Sequence, residues 1–189
     1  LNESFLSNCT SLSLVNIQCK NGDITINSNI FKNCQLKNVT IYSSELKLCS
    51  GCFKESKNLE TIDIRSEDLD FEDKCFQNCG SLTSFTLHNG KDINVTPNTF
   101  LGCSSLKQLI LISKSNLIIN NEFSSVSKNI YKVTLSGKTI TIGDSCFKNC
   151  NLLNEFEIIE SGSIMIGEKQ FTNCVNLGKI SIQSSTEIE

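Results

Sequence analysis

A spacing that returns every 22 to 25 residues constrains this chain more than any other feature. Phe31, Phe53, Phe76, Phe100, Phe123, Phe147 and Phe171, with Leu6 in the same role, stand 25, 22, 23, 24, 23, 24 and 24 residues apart. A period of this length marks an array, because one such unit is too small to bury its own apolar face and must stack on a neighbour. The best-kept units read F-x-x-C-x-x-L-x-x-[apolar]-x-[apolar], as in Phe100, Cys103, Leu106, Leu109 and Leu111, and again in Phe171, Cys174, Leu177, Ile180 and Ile182. About eight units of 22–25 residues fill residues 1–189.

Every complete unit carries a second alternating pair upstream of its Phe: Ile24/Ile26, Leu46/Leu48, Leu69/Phe71, Ile93/Val95, Leu117/Ile119, Ile140/Ile142 and Ile164/Ile166. Alternation over so few residues means a short strand with one buried face. Two strands per unit are therefore predicted. One begins near Val15, Val39, Ile62, Phe85, Leu109, Val133, Phe156 and Ile180, and the other carries the upstream pairs. Between them, the three-residue steps of Phe, Cys and Leu predict a short helical turn with its apolar side inward. Stacked units then form two parallel ladders around a shared core, a curved solenoid of α/β-type to mostly β character. The second unit lacks one residue between Cys34 and Leu36, and the sixth has Val126 for Cys and one extra residue before Ile130. These read as loop adjustments.

Phe147-Lys148-Asn149-Cys150, followed by Leu153, Phe156 and Ile158, resembles the repeat of the BspA-like, or treponemal-type, leucine-rich-repeat proteins found on bacterial and protist surfaces. The resemblance spans essentially the whole chain and is interrupted only at Leu6, Ser56 and Val126. It implies a parallel concave sheet, shorter convex strands, and a role in adhesion or protein recognition at a cell surface or after secretion. Both ends fall inside a repeat, Leu1 at the position of Ile26 and Ile188 at that of Ile140. Solenoid ends need polar caps, so residues 1–189 are expected to be one solenoid domain within a longer array.

Composition narrows the chemistry. A formal charge of -3 and pI near 5.3, with no Lys/Arg cluster along the chain, set nucleic acid aside as a partner. No run approaches the ~20 apolar residues of a membrane span. A single histidine, His88, leaves no multi-histidine metal site, and no nucleophile elbow, phosphate loop or dinucleotide fingerprint is present. Neither catalysis nor a cofactor is expected. The acidic run Asp68/Asp70/Glu72 alternates along a strand and reads as a solvated edge rather than paired acid catalysts, with weak calcium binding as its functional alternative. Sequons at Asn2, Asn8, Asn38 and Asn94 match the number chance would give in so Asn-rich a chain.

Eleven cysteines invite a disulfide or zinc reading, yet their number is odd and Cys49-Ser50-Gly51-Cys52 is the only C-x-x-C. Cys9, Cys34, Cys79, Cys103, Cys150 and Cys174 share one repeat position, and Cys52, Cys75 and Cys146 precede the anchoring Phe. That periodicity predicts buried thiols used as small apolar fillers. Neighbouring rungs, about 4.8 Å apart, would still allow oxidation.

The outward residues of the concave strands vary from unit to unit. One column reads Gln18, Tyr42, Arg65, His88, Ile112, Ser136, Ile159, Gln183, and its neighbour Asn16, Thr40, Asp63, Thr86, Ile110, Thr134, Glu157, Ser181. Tyr42, Asp63, Arg65, His88, Ile110 and Ile112 are thus the candidate binding residues, a mixture of aromatic, cationic and apolar groups typical of interface cores. The competing reading is a Thr/Ser-rich strand face with incidental large residues. Two functions follow: a recognition or adhesion module that binds a host or other extracellular protein, or an intracellular scaffold that uses the same repeats in an assembly.

Overall fold

The computed structural model describes residues 5–121, 123, 128–186 and 188. Leu1, Asn2 and Val126, which entered the reading of the array's start, its sequons and its ladder defects, lie outside these residues. Ten parallel strands form one continuous sheet: β1 (Leu14–Ile26), β2 (Asn38–Leu48), β3 (Thr61–Phe71), β4 (Ser84–Asn89), β5 (Ile93–Val95), β6 (Gln108–Ser113), β7 (Asn116–Ile119), β8 (Lys132–Ile142), β9 (Glu155–Ile166) and β10 (Lys179–Ile182). Every pairing is parallel, and each joins equivalent positions of adjacent units, as in Val15↔Val39, Val39↔Ile62, Ile62↔Phe85 and Phe85↔Leu109. The chain is a solenoid.

The two expected strands per unit are fused in β1, β2, β3, β8 and β9, each of which runs through a corner into a second arm. Among the described residues the fourth and fifth units keep them apart, as β4/β5 and β6/β7, and in the eighth β10 is followed by a separate Ile188 bridge to Ile164. The corner column is polar and buried in both kinds of unit, with Ser43, Ser66, Asn89, Ser113 and Ser161 there. Ser66 Oγ donates to Asp68 O at 2.9 Å and accepts from Asp68 N, while Ser161 Oγ donates to Ser163 O at 2.8 Å. A hydroxyl that folds back two residues satisfies backbone groups at the bend.

The F-x-x-C-x-x-L segments are consecutive hydrogen-bonded turns with almost no helix, a 3₁₀ residue being described only at Phe123, which refines the short helical turn expected from sequence. In the unit of Phe100, Cys103 N bonds Phe100 O at 2.9 Å and Leu106 N bonds Cys103 O at 3.1 Å, two consecutive turns instead of one helix. The third residue of the first turn, two places after the anchor, is left-handed: Asn33 has φ 62°, Glu55 62°, Asn78 61°, Gly102 82°, Asn149 61° and Asn173 62°. Asn and Gly are the residues that enter this region at least cost. Gly102 is further constrained, because a Cβ there would collide with the Asn78 side chain. Adjacent loops are then stitched together, as by Asn78 N to Leu101 O at 2.7 Å and Asn149 N to Thr172 O at 2.9 Å.

The core lies inside the bend. Phe53, Phe76, Phe100, Phe123 and Phe147 are fully buried, and ring neighbours stand 5.3 to 6.1 Å apart from Phe31 to Phe171. Leu6 takes the anchor's place in the first unit: it packs partly buried on the core, and its carbonyl accepts Cys9 N.

The cysteine column does more than fill space. Cys34 Sγ donates to Leu6 O at 3.1 Å, Cys79 to Phe53 O at 3.1 Å, Cys103 to Phe76 O at 3.0 Å and Cys174 to Phe147 O at 3.0 Å. Each thiol thus satisfies a carbonyl of the preceding unit's anchor, a contact that an apolar filler could not make. Cys75 and Cys146, in the column before the Phe, likewise donate to Glu72 O and Gly143 O within their own loops. No disulfide joins the eleven cysteines. Burial pushes the Cys146 thiol up to about 11 and the Cys150 thiol up to about 12, so both stay protonated and unreactive near neutral pH.

Candidate functional site

The first arm of each strand alternates buried and outward side chains, so its register decides which outward residues meet. Tyr42 pairs with Arg65, Arg65 with His88 and His88 with Ile112, while in the adjacent column Asp63 pairs with Thr86 and Thr86 with Ile110. The structure therefore brings Tyr42, Asp63, Arg65, His88, Ile110 and Ile112 together on one face of β2, β3, β4 and β6. Arg65 is exposed and the other five are half-buried.

The polar members hold one another. The Tyr42 hydroxyl donates to Asp63 Oδ2 at 3.0 Å, the Arg65 guanidinium lies 5.1 Å from the centre of the Tyr42 ring, and Arg65 Nη2 is 3.4 Å from Asp63 Oδ2. The hydrogen bond to Asp63 raises the Tyr42 phenol above its ordinary value, and the same carboxylate raises Arg65. Both groups stay protonated near pH 7. Burial, and then the neighbouring Arg65 charge, lower the His88 imidazole below its usual range, so it presents an uncharged ring at neutral pH. The result is an ordered aromatic–arginine–carboxylate cluster flanked by His88 and two isoleucines.

The column changes character towards the C-terminus. A bulge shifts the register between Leu135 and Ser136, so that Ser136 pairs with Glu160 and not with Ile159. Ile159 therefore leaves the column in which the alternation placed it, because one extra residue on a strand re-aims its side chain. It lines an open cavity of about 860 Å³ with Ile112, Ser136, Gly137 and Ile182. Beside it lies an ion-pair network that sequence reasoning missed: Lys132 is 2.7 Å from Glu155 and 3.3 Å from Glu157, and Lys179 also reaches Glu157. Aligning Lys132, Glu155 and Lys179 as one column, beside Glu157, would have exposed its alternating sign.

The acidic run sits on the second arm and is partly neutralised there. Lys47 is 3.5 Å from Asp70 and 3.1 Å from Glu72, and Lys91 pairs with Asp68. Hydrogen bonds from the Ser50 amide and Lys47 hold the Glu72 carboxyl below the ordinary carboxylate range. Lysines from neighbouring units pair with these acids, whose side chains remain solvated, as expected from sequence. Among the described residues, no group of three or more His, Cys, Asp or Glu side chains is arranged to hold a metal ion. No helix among them is long and apolar enough to cross a membrane.

Comparison with known proteins gives one result. The family model described as a BspA type leucine rich repeat region of six copies matches residues 1–96 and 70–189. No curated protein and no solved structure matches the chain.

Proposed function

The chain belongs to the BspA-type leucine-rich-repeat family, and on that premise we propose that it is a protein-recognition or adhesion module that works at a cell surface or after secretion. The binding face is the outward side of the first arms, the concave side of the solenoid, centred on Tyr42, Asp63, Arg65, His88, Ile110 and Ile112. One observation carries this reading: Tyr42, Asp63 and Arg65 are already held together on the same face as the half-buried Ile110 and Ile112. An arginine and an aromatic ring held in place lose little side-chain entropy when a partner lands on them, and residues of these types dominate binding energies. The module is not catalytic: it supplies a rigid, outward-facing surface whose side chains change from rung to rung.

The test is an affinity screen of the wild-type solenoid against purified secreted and surface-exposed proteins, run beside the Tyr42→Ala/Arg65→Ala variant. Proteins held by the wild type and lost by the variant support the assignment. Retention of every captured protein by the variant overturns it.

A further inference from the structure

We propose a second binding site on the turn side of the solenoid, a groove in the second to fourth units that takes an anionic oligosaccharide through its sulfate or phosphate groups. The groove is an open cavity of about 800 Å³ between consecutive F-x-x-C loops, and Lys32, Lys54, Lys57 and Lys74 all line it. All four are exposed. Glu55 is the only acidic side chain in the lining and stands 4.0 Å from Lys54, with both groups well solvated, so it offsets little of the charge.

The surrounding fold makes this concentration of lysines unusual. Some lysines elsewhere face acids on the next rung, as Lys47 meets Asp70, Lys91 meets Asp68 and Lys132 meets Glu155. The groove instead gathers four lysines around a single carboxylate. Lys32 and Lys54 hold the same repeat position, one place after Phe31 and Phe53, on adjacent loops. Lys74 follows Asp73, whose carbonyl accepts Gly51 N, so it belongs to the next loop along. Among the described residues, Lys32, Lys57 and Lys74 enter no ion pair. Four ammonium groups thus share one groove with one carboxylate, in a chain whose net charge is -3. A bound polyanion supplies the missing negative charge.

The rest of the lining selects among polyanions. Beside the lysines and Glu55 it is rich in amides and hydroxyls, among them Asn29, Gln35, Asn58 and Ser56, with Asn58 Nδ2 donating to Gln35 Oε1. Phe31, the only aromatic residue in the lining, is buried. Single-stranded nucleic acid binds by stacking bases on exposed aromatic rings, and a peptide binds by seating large apolar or aromatic anchors in pockets. Neither finds its partner surface here. Sugar hydroxyls match the amides and serines, and sulfate or phosphate groups match the four ammonium groups.

Binding is measured by calorimetry on the whole chain with a sulfated decasaccharide, its desulfated form, a phosphorylated oligosaccharide of equal length and a single-stranded DNA of equal charge. The sulfated or the phosphorylated sugar, or both, bind, the desulfated sugar does not, and affinity falls about ten- to a hundredfold between 50 and 200 mM salt, as a handful of ionic contacts requires. The Lys32→Gln/Lys54→Gln/Lys57→Gln/Lys74→Gln variant loses at least about tenfold. A control with the same charge change, Lys107→Gln/Lys128→Gln/Lys138→Gln/Lys169→Gln, stays within about twofold, as does Tyr42→Ala/Arg65→Ala, which separates this site from the protein-binding face. Circular dichroism of each variant confirms that the solenoid is intact. Equal losses in the two quadruple variants, DNA binding as tight as that of the sugars, or no binding by either charged sugar overturns the proposal.

Discussion

The two sides of a single strand obey different rules. On the inward side of β3, Ile62 and Ile64 repeat what Val39 and Ile41 do in β2 and what Phe85 and Leu87 do in β4, and all six are buried. On its outward side, Asp63 and Arg65 lie between Thr40 and Tyr42 on one flank and Thr86 and His88 on the other, with no type repeated in the second column. The inward side must present the same apolar shape to each neighbour, since every unit is both lid and floor for the next. The outward side faces no such requirement. Sameness within the array therefore reports stability, and the outward columns are free to differ from rung to rung.

The largest effect expected from this contrast concerns the inward side. Leu106 is fully buried and its neighbour Lys107 is exposed. Leu106→Ala should cost about 2–5 kcal/mol of stability, as large-to-small core changes do, and Lys107→Ala almost nothing. Equal shifts in the denaturant midpoint would break the contrast at its root.

The outward side should show the reverse pattern. Against a partner from the affinity screen, Tyr42→Ala and Arg65→Ala should each weaken binding by more than about 1 kcal/mol while barely moving the thermal midpoint. Asp68→Ala and Asp70→Ala, on the second arm, serve as controls. If these weaken the complex and the first-arm changes do not, the working face is the acidic one.

Thiol labelling sharpens the comparison residue by residue. Cys9 is exposed and should react in the native protein, with half-buried Cys19, Cys34, Cys49 and Cys174 slower. Cys52, Cys75, Cys79, Cys103, Cys146 and Cys150 are buried and should react only after denaturation. A chain without free thiols in either state would show that oxidised pairs, not thiol donors, join the rungs.

The smallest effect lies in the ion-pair network. Pairing with Lys179 and Lys132 holds the Glu157 carboxyl below its ordinary value of 4.5. A lowered carboxylate stabilises the fold above its unfolded value, and that contribution disappears as pH falls through the folded one. Glu157→Gln should therefore lower the melting temperature slightly at neutral pH, with the gap to wild type closing in acid. A gap that widens below pH 4.5 would contradict the assignment.

Much of this architecture was legible because buried positions repeat. The Phe, Cys and Leu spacing identified the array, and alternation placed the first-arm columns so that Tyr42, Arg65, His88 and Ile112 meet as expected. Three features escaped for physical reasons. The F-x-x-C segment has the spacing of a helix, but the left-handed residue after the anchor breaks it, and only the frequency of Asn and Gly at that position hinted at this. The bulge that displaces Ile159 adds one residue inside an apolar run, where period two cannot report it. The lysine groove draws single residues from several loops, so no stretch of sequence is basic, and only folding gathers the charge.

The uninterrupted register also bears on how such an array changes length. From β1 to β6 the first arms pair position for position, so a whole unit can be duplicated or lost by unequal genetic recombination and the joined ends still meet in phase. Copy number on that side of the molecule is free to drift. Between β8 and β9 the bulge takes up one extra residue, and Ile140 still meets Ile164 and Ile142 still meets Ile166 beyond it. A difference of one residue between units is thus absorbed where it arises, and the apolar ladder on either side keeps its phase.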